Sequence, residues 1–133
     1  MMSNHLVLID TSAWIHALRP NGSPGIREKV RNILKERIAA STEMVILELA
    51  GGAKEKREYE ELLEDLLALH QLSVDEEVWR LAFSLHFELR RKGVSVPSTD
   101  MLIAAVAMKN KCVLLHNDKH FELIARHTSL KLL

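Results

Sequence analysis

Four acids in this chain of 133 residues sit where charge is costly. Asp10 closes the apolar run Leu6-Val7-Leu8-Ile9. Asp118 comes three residues after a second such run, Cys112 to Leu115. Asp100 opens the almost wholly apolar stretch "DMLIAAVAM", and Glu48 is the only charge between Met44 and Ala50 in "STEMVILELAGG". An unpaired buried carboxylate is expensive. Several carboxylates gathered at one place also repel each other and raise their own pKa values. A divalent cation resolves that conflict, and oxygen-only ligands favour Mg²⁺ or Mn²⁺ over zinc. Mg²⁺ keeps several waters and joins a few carboxylates to phosphate oxygens. Such a centre can ionise a bound water for attack on a phosphodiester, while a second ion stabilises the leaving oxygen. Taken singly, the acids have plainer readings. Asp100 suits a helix dipole, an effect of about 0.3–1 kcal/mol. Glu48 is satisfied by exposure or by a cation.

Histidine chemistry competes with this. His116 and His120 are four apart, a zinc spacing when both lie on one helix. Here His116 ends a strand, His120 belongs to the helix that follows, and no Glu succeeds His116, so the pair is not read as a zinc site. His5, His16, His70, His86 and His127 show no interpretable pairing.

The elements around the acids must bring them together. Leu6 to Ile9 does not alternate with polar residues, which predicts a strand buried on both faces. Thr11 or Ser12 then caps a helix through Leu18. "RPNGSPG", Arg19 to Gly25, is a loop. Ile26, Val30, Ile33 and Leu34 predict a helix to about Glu36, followed by a strand over 37–41. Ser41 or Thr42 caps a helix over "MVILELA", stopped by Gly51 and Gly52. Tyr59, Leu62, Leu63, Leu66 and Leu67 mark a helix, and 69–74 a strand. Val78, Leu81, Ala82, Leu85 and Leu89 stripe a longer helix that ends at Gly93. Ser98 caps a core helix over 99–109. Cys112 to Leu115 is a strand, 118–126 a short helix, and "LKLL" a last strand. This alternation predicts an α/β fold: one domain over 1–133, with a mostly parallel sheet flanked by helices on both faces. Right-handed crossovers then place the strand C-termini, and with them Asp10 and Asp118, along one edge.

Hydrophobic residues make up 47% and charged residues 27%, ordinary for a soluble domain. No run of about 18 apolar residues is present, so no membrane span is expected, and no secretory signal is evident at the N-terminus. Cys112 is the only cysteine, which excludes an internal disulfide and fits a reducing cytoplasm. Eighteen basic residues balance 18 acidic ones, so there is no global pull toward nucleic acid. Locally, Arg27, Lys29, Arg31, Lys35 and Arg37 cluster, as do Arg90-Arg91-Lys92 and the pair Lys109 and Lys111; solvated faces explain most such groups.

The residues resemble the PIN-domain nucleases. "LVLIDTSAWI" is similar to that family's opening motif. Glu48 in its helix, "PSTDMLIAAVAM" with Asp100, and "LLHNDKHFELIA" with Asp118 resemble its remaining acidic motifs in the same order, so the likeness spans nearly the whole chain. Within the family it is most similar to the VapC toxins of toxin–antitoxin pairs. That resemblance implies a Mg²⁺- or Mn²⁺-dependent endoribonuclease acting on structured RNA. It also implies a homodimer, held inactive by a cognate antitoxin whose tail enters the active-site groove. Asp10, Glu48, Asp100 and Asp118 carry over as the metal-binding, catalytic acids. Ser12, with Thr11 beside it, carries over as a supporting hydroxyl. The chain departs from the pattern at His116, where the family often has Thr or Ser, and at His120, where it has Asp before the Phe. His116 is a candidate to contact phosphate in place of the lost hydroxyl.

Other classes make different demands. A receiver-like Mg²⁺-binding domain wants an acidic pair at the end of the first strand, and Asp10 has no acidic neighbour. A haloacid-dehalogenase-type phosphatase wants a second Asp where this chain has Ser12. A non-toxin RNA-processing nuclease shares the acids. A non-catalytic RNA- or protein-binding module would tolerate their loss.

Overall fold

The computed structural model describes residues 5–133. The first four residues, part of the stretch in which no leader is read, lie outside it. Among the described residues, five strands and seven helices alternate. Strand β1 (Val7–Ile9) is buried throughout and leads into α1 (Thr11–Leu18) and α2 (Pro24–Lys35). Then come β2 (Ala39–Ser41), α3 (Glu43–Gly51), α4 (Lys56–Leu67) and β3 (His70–Gln71). Next, α5 (Glu76–Arg91) and α6 (Ser98–Lys109) return the chain to β4 (Val113–Leu115), and α7 (Lys119–His127) leads to β5 (Lys131–Leu132).

All neighbouring strands are parallel, in the order β3-β2-β1-β4-β5. The chain winds outward from β1 to β3, crosses back, and winds outward again from β4. Right-handed crossovers therefore put α1 to α4 on one face and α5 to α7 on the other. The packing agrees: α1 meets α2, α3 meets α4, and α6 lies against both α5 and α7. The winding reverses between β1 and β4, which opens a crevice beyond their C-terminal ends. Helix α6 is the innermost, with every residue from Met101 to Ala107 buried. Its alanines let the backbone come close to the sheet, and its apolar circumference explains why it shows no amphipathic stripe.

Three helices end alike. Arg37, Gly93 and Lys111 adopt φ values of 61°, 80° and 54°. In each case the next residue's N–H reaches back five positions: Ile38 to Ile33, Val94 to Leu89, Cys112 to Ala107. These are Schellman closures, which turn a helix sharply into the strand or loop that follows. Glycine takes that conformation freely, whereas Arg37 and Lys111 carry a Cβ against the backbone. Lys111→Gly is therefore expected to stabilise the fold by up to about 1 kcal/mol, read as a higher urea midpoint at unchanged m-value.

The predicted elements are all present, with shifted edges. The first helix is capped by Asp10, not by Thr11 or Ser12. Helix α6 starts at Ser98, with Pro97 rather than Ser98 at its cap. Helix α4 starts three residues before Tyr59, because its first turn is polar and leaves no periodic signal. Strand β3 is only His70–Gln71, an exposed edge rather than the full 69–74 segment.

Candidate active site

Asp10 and Asp118 play the same part beyond the ends of adjacent strands, Asp10 directly after β1 and Asp118 three residues after β4. Each is the N-cap of the helix that leaves the sheet there: Asp10 accepts the Ser12 N–H and Asp118 accepts the His120 N–H. The carboxylates thus serve the helix ends and face the crevice that the β1–β4 reversal creates. Asp100, in the first turn of α6, joins them from below. Three helix N-termini, each carrying partial positive charge, converge on this place.

Asp10 is only 4% exposed. Its Oδ2 accepts the Ser12 hydroxyl at 2.6 Å and the Ser12 amide at 2.9 Å. The same hydroxyl oxygen accepts the Asn117 N–H at 2.9 Å, which ties the β4 exit to the β1 exit. The Asn117 amide in turn meets His16 Nε2 at 2.7 Å, and His16 Nδ1 accepts the Ser23 N–H. Gly22 lets the loop pass so close that a Cβ there would stand 1.9 Å from the His16 carbonyl oxygen. A continuous polar chain thus fixes Asp10.

The charges crowd each other. Burial pushes the Asp10 carboxyl up, the Ser12 bonds oppose that, and Asp118 adds repulsion. Asp100 is pushed up to about 6, first by burial, then by the charges of Asp10 and Asp118, with a His120 hydrogen bond opposing. The mutual repulsion expected of gathered carboxylates is therefore present.

His120 sits between two of the acids. Its Nδ1 lies 3.0 Å from Asp100 Oδ2 and 3.0 Å from Asp118 Oδ1. Ligand atoms of Asp100, Asp118 and His120 all fall within 4.8 Å of one another. Two carboxylates and an imidazole at this spacing are a donor set that fits a divalent cation.

The remaining expected residues lie around this group. Glu48 is exposed, on α3, and outside the tight cluster. Its Oε1 accepts the Thr11 hydroxyl at 2.8 Å, so it stands beside the start of α1. Exposure and that hydroxyl satisfy it in this structure. His116 uses Nδ1 to accept the Asp118 N–H at 3.1 Å, and its ring packs on Phe121. It shapes the Asp118 turn. Among the described residues, His116 is not part of the group of three that includes His120. Of the basic residues, Lys109 is engaged with Asp75 at 2.7 Å, at the start of α5.

Asn117 was not singled out from sequence, and His120 was weighed only as a zinc partner of His116 and as a departure from the family pattern. Asn117 has no signal beyond its place after a strand. His120 had one: it follows the Asp118 cap by two residues, and a helical side chain there leans back toward the N-terminus.

The family model described as "PIN domain" matches residues 7–127. The VapC ribonuclease Mb1587 of Mycobacterium bovis is 36% identical over 130 residues, 95% of this chain and 96% of that protein. Among solved structures, VapBC2 from Rickettsia felis, bound to a DNA fragment from its promoter, superposes with a TM-score of 0.78 at 21% identity. That match covers 96% of this chain and 97% of the other. VapBC-5 from Mycobacterium tuberculosis, a member of the VapBC family of toxin-antitoxin systems, gives 0.68 at 22% identity over 98% of both chains.

Proposed function

The chain belongs to the PIN domain family, and on that premise we propose that it is a divalent-metal-dependent endoribonuclease, the toxin of a toxin–antitoxin pair. The observation that carries the chemistry is the gathering of Asp10, Asp100 and Asp118 from three distant segments, where burial first and the neighbouring charges second push Asp100 up to about 6. The ribonuclease assignment rests on the relative at 36% identity. Mg²⁺ or Mn²⁺ is the ion such acids take, and when bound it would polarise the phosphodiester and activate a water.

The chain's own residues divide the remaining work. Asp10, Asp100 and Asp118 supply the negative charge that holds the ion. Ser12 orients Asp10 through two hydrogen bonds to one oxygen. Glu48, held by Thr11 and open to solvent, is placed to act on the water or the substrate from the α1 side. His116 fixes the backbone turn that presents Asp118. The helix N-termini favour phosphate oxygens in the crevice.

The partners follow the same reading. RNA is the substrate and an antitoxin the regulator, and the protein acts in the cytoplasm; no helix of the described residues is long and apolar enough to cross a membrane. An apolar groove between α3 and α4, lined by Ile46, Leu47, Ala50, Tyr59, Leu63 and Leu67, offers an antitoxin side chains to bury against. A homodimer is favoured by a second apolar face. Trp79, Phe83 and Phe87 recur every four residues on α5 and are 44%, 64% and 59% exposed. Contiguous exposed aromatics of this kind mark interfaces. Phe83→Glu is expected to convert a dimer to a monomer in sedimentation velocity; an unchanged species would move the interface elsewhere.

The test of the function is direct. Purified chain incubated with total RNA and Mg²⁺ or Mn²⁺ should generate discrete new 5′ ends. EDTA should abolish them, and cleavage undiminished by EDTA would contradict the metal role.

A further inference from the structure

Resting on the metal-centre reading above, we propose that His120 is itself a ligand of the ion, which makes this centre a mixed nitrogen–oxygen site that prefers Mn²⁺ over Mg²⁺. The placement carries the argument. His120 is the second residue of α7, and its backbone N–H is held at 3.0 Å by the Asp118 cap. That bond sets the ring over the crevice instead of out in solvent. The ring nitrogen then falls between carboxylates from two separate helices, at 3.0 Å from each.

Adjacent ligands around an octahedral ion with bonds of about 2.1 Å stand roughly 3 Å apart. The nitrogen already has that spacing to each of the two carboxylate oxygens without the ion. In this structure the His120 Nδ1 is in hydrogen-bond contact with Asp100 Oδ2 at 3.0 Å. Ligation by Nδ1 requires the neutral ring with its proton on Nε2. The imidazole side chain is about one-third exposed.

The chemistry of nitrogen decides the selectivity. Imidazole is a softer donor than carboxylate; it suits zinc, iron and nickel best, and Mn²⁺, the weakest-binding of the first-row ions, still accepts it more readily than Mg²⁺ does. An acid at position 120 would leave an all-oxygen site, so the imidazole changes the metal that the centre selects. His16 and His116, the other histidines near the crevice, have their Nδ1 atoms occupied by backbone N–H groups.

The test uses the full chain, stripped of metal and titrated with MnCl₂ and MgCl₂ separately by calorimetry, and with Mn²⁺ followed by pulsed electron paramagnetic resonance. Bound Mn²⁺ should show ¹⁴N modulation from a directly coordinated imidazole. His120→Asp and His120→Gln should both abolish that modulation while Mn²⁺ still binds, and His116→Gln should retain it. The ratio of Mn²⁺ to Mg²⁺ affinity should fall by about tenfold or more in His120→Asp. Mn²⁺ bound without ¹⁴N modulation, or modulation that survives both His120 variants, would overturn the ligand assignment and leave the metal centre standing. No Mn²⁺ binding by the wild type would overturn the metal centre itself, and this inference with it.

Discussion

Asp100→Asn is expected to abolish RNA cleavage and, in the metal-free protein at pH 8, to raise the melting temperature by several degrees. Both effects come from one carboxylate. Folding lifts the Asp100 pKa from 3.8 to about 6. Between those values the folded state holds a proton that the unfolded chain has lost, so stability falls as pH rises from about 4 to about 6. Above 6 the full penalty is present, about 2–3 kcal/mol at 1.36 kcal/mol per unit. Asparagine carries no charge and removes it. The two proteins should therefore unfold alike near pH 4 and diverge above 6. Mn²⁺ offers the wild type the same relief by binding only the folded state, and should raise its melting temperature far more than the variant's. Cleavage should drop more than about 100-fold, since even residues that merely support a metal ligand are worth 10–100-fold. Thermal unfolding across pH 4–8, with and without Mn²⁺, checks the first part. Equal melting temperatures at pH 8 would show that Asp100 bears no such repulsion.

Asp10 permits a second separation of fold from chemistry. Asp10→Asn keeps an oxygen that accepts the Ser12 bonds and caps α1, but removes the charge. Asp10→Ala removes both. Cleavage should be lost in each. Stability should be held or improved in Asp10→Asn, because burial and Asp118 already oppose the Asp10 charge. In Asp10→Ala it should fall by about 1–2 kcal/mol, from the lost cap and a Ser12 hydroxyl left without its acceptor. Urea denaturation of both variants at pH 7.5 measures the difference. An Asp10→Asn protein that cleaves like wild type would remove Asp10 from the metal centre.

The acids at the strand ends were legible because their signal is local. An apolar run that stops at Asp10, and another that stops just before Asp118, implies a parallel sheet edge once strands and helices alternate. Asp100 was legible because Met101 to Ala107 has no polar face, so its helix had to be central. The double role of Asp10 was not. Thr11 and Ser12 are equally good caps by type, and only the geometry of the β1 exit selects the residue before them. The ends of α2 and α6 were read to within one residue, at about Glu36 and at Lys109, but the left-handed turns that follow them were not. Arg37 and Lys111 do what glycine usually does, and nothing in their side chains announces a left-handed turn. Gly93, at the same kind of turn, was read correctly. His120 was hardest, because its neighbours come from α6, 20 residues away in sequence. Glu48 stood out among apolar neighbours in sequence, but it is exposed, and its partner Thr11 is 37 residues distant.

The central claim is that Asp10, Asp100 and Asp118 form one divalent-cation site. Anomalous diffraction from a crystal of the full chain grown with Mn²⁺ tests it most directly. The account predicts an anomalous peak within bonding distance, about 2.0–2.2 Å, of Asp100 and Asp118 carboxylate oxygens, on the crevice side that Asp10 faces. A fully ordered crevice at millimolar Mn²⁺ with no peak there, or a peak bound only to acids elsewhere on the surface, would contradict it.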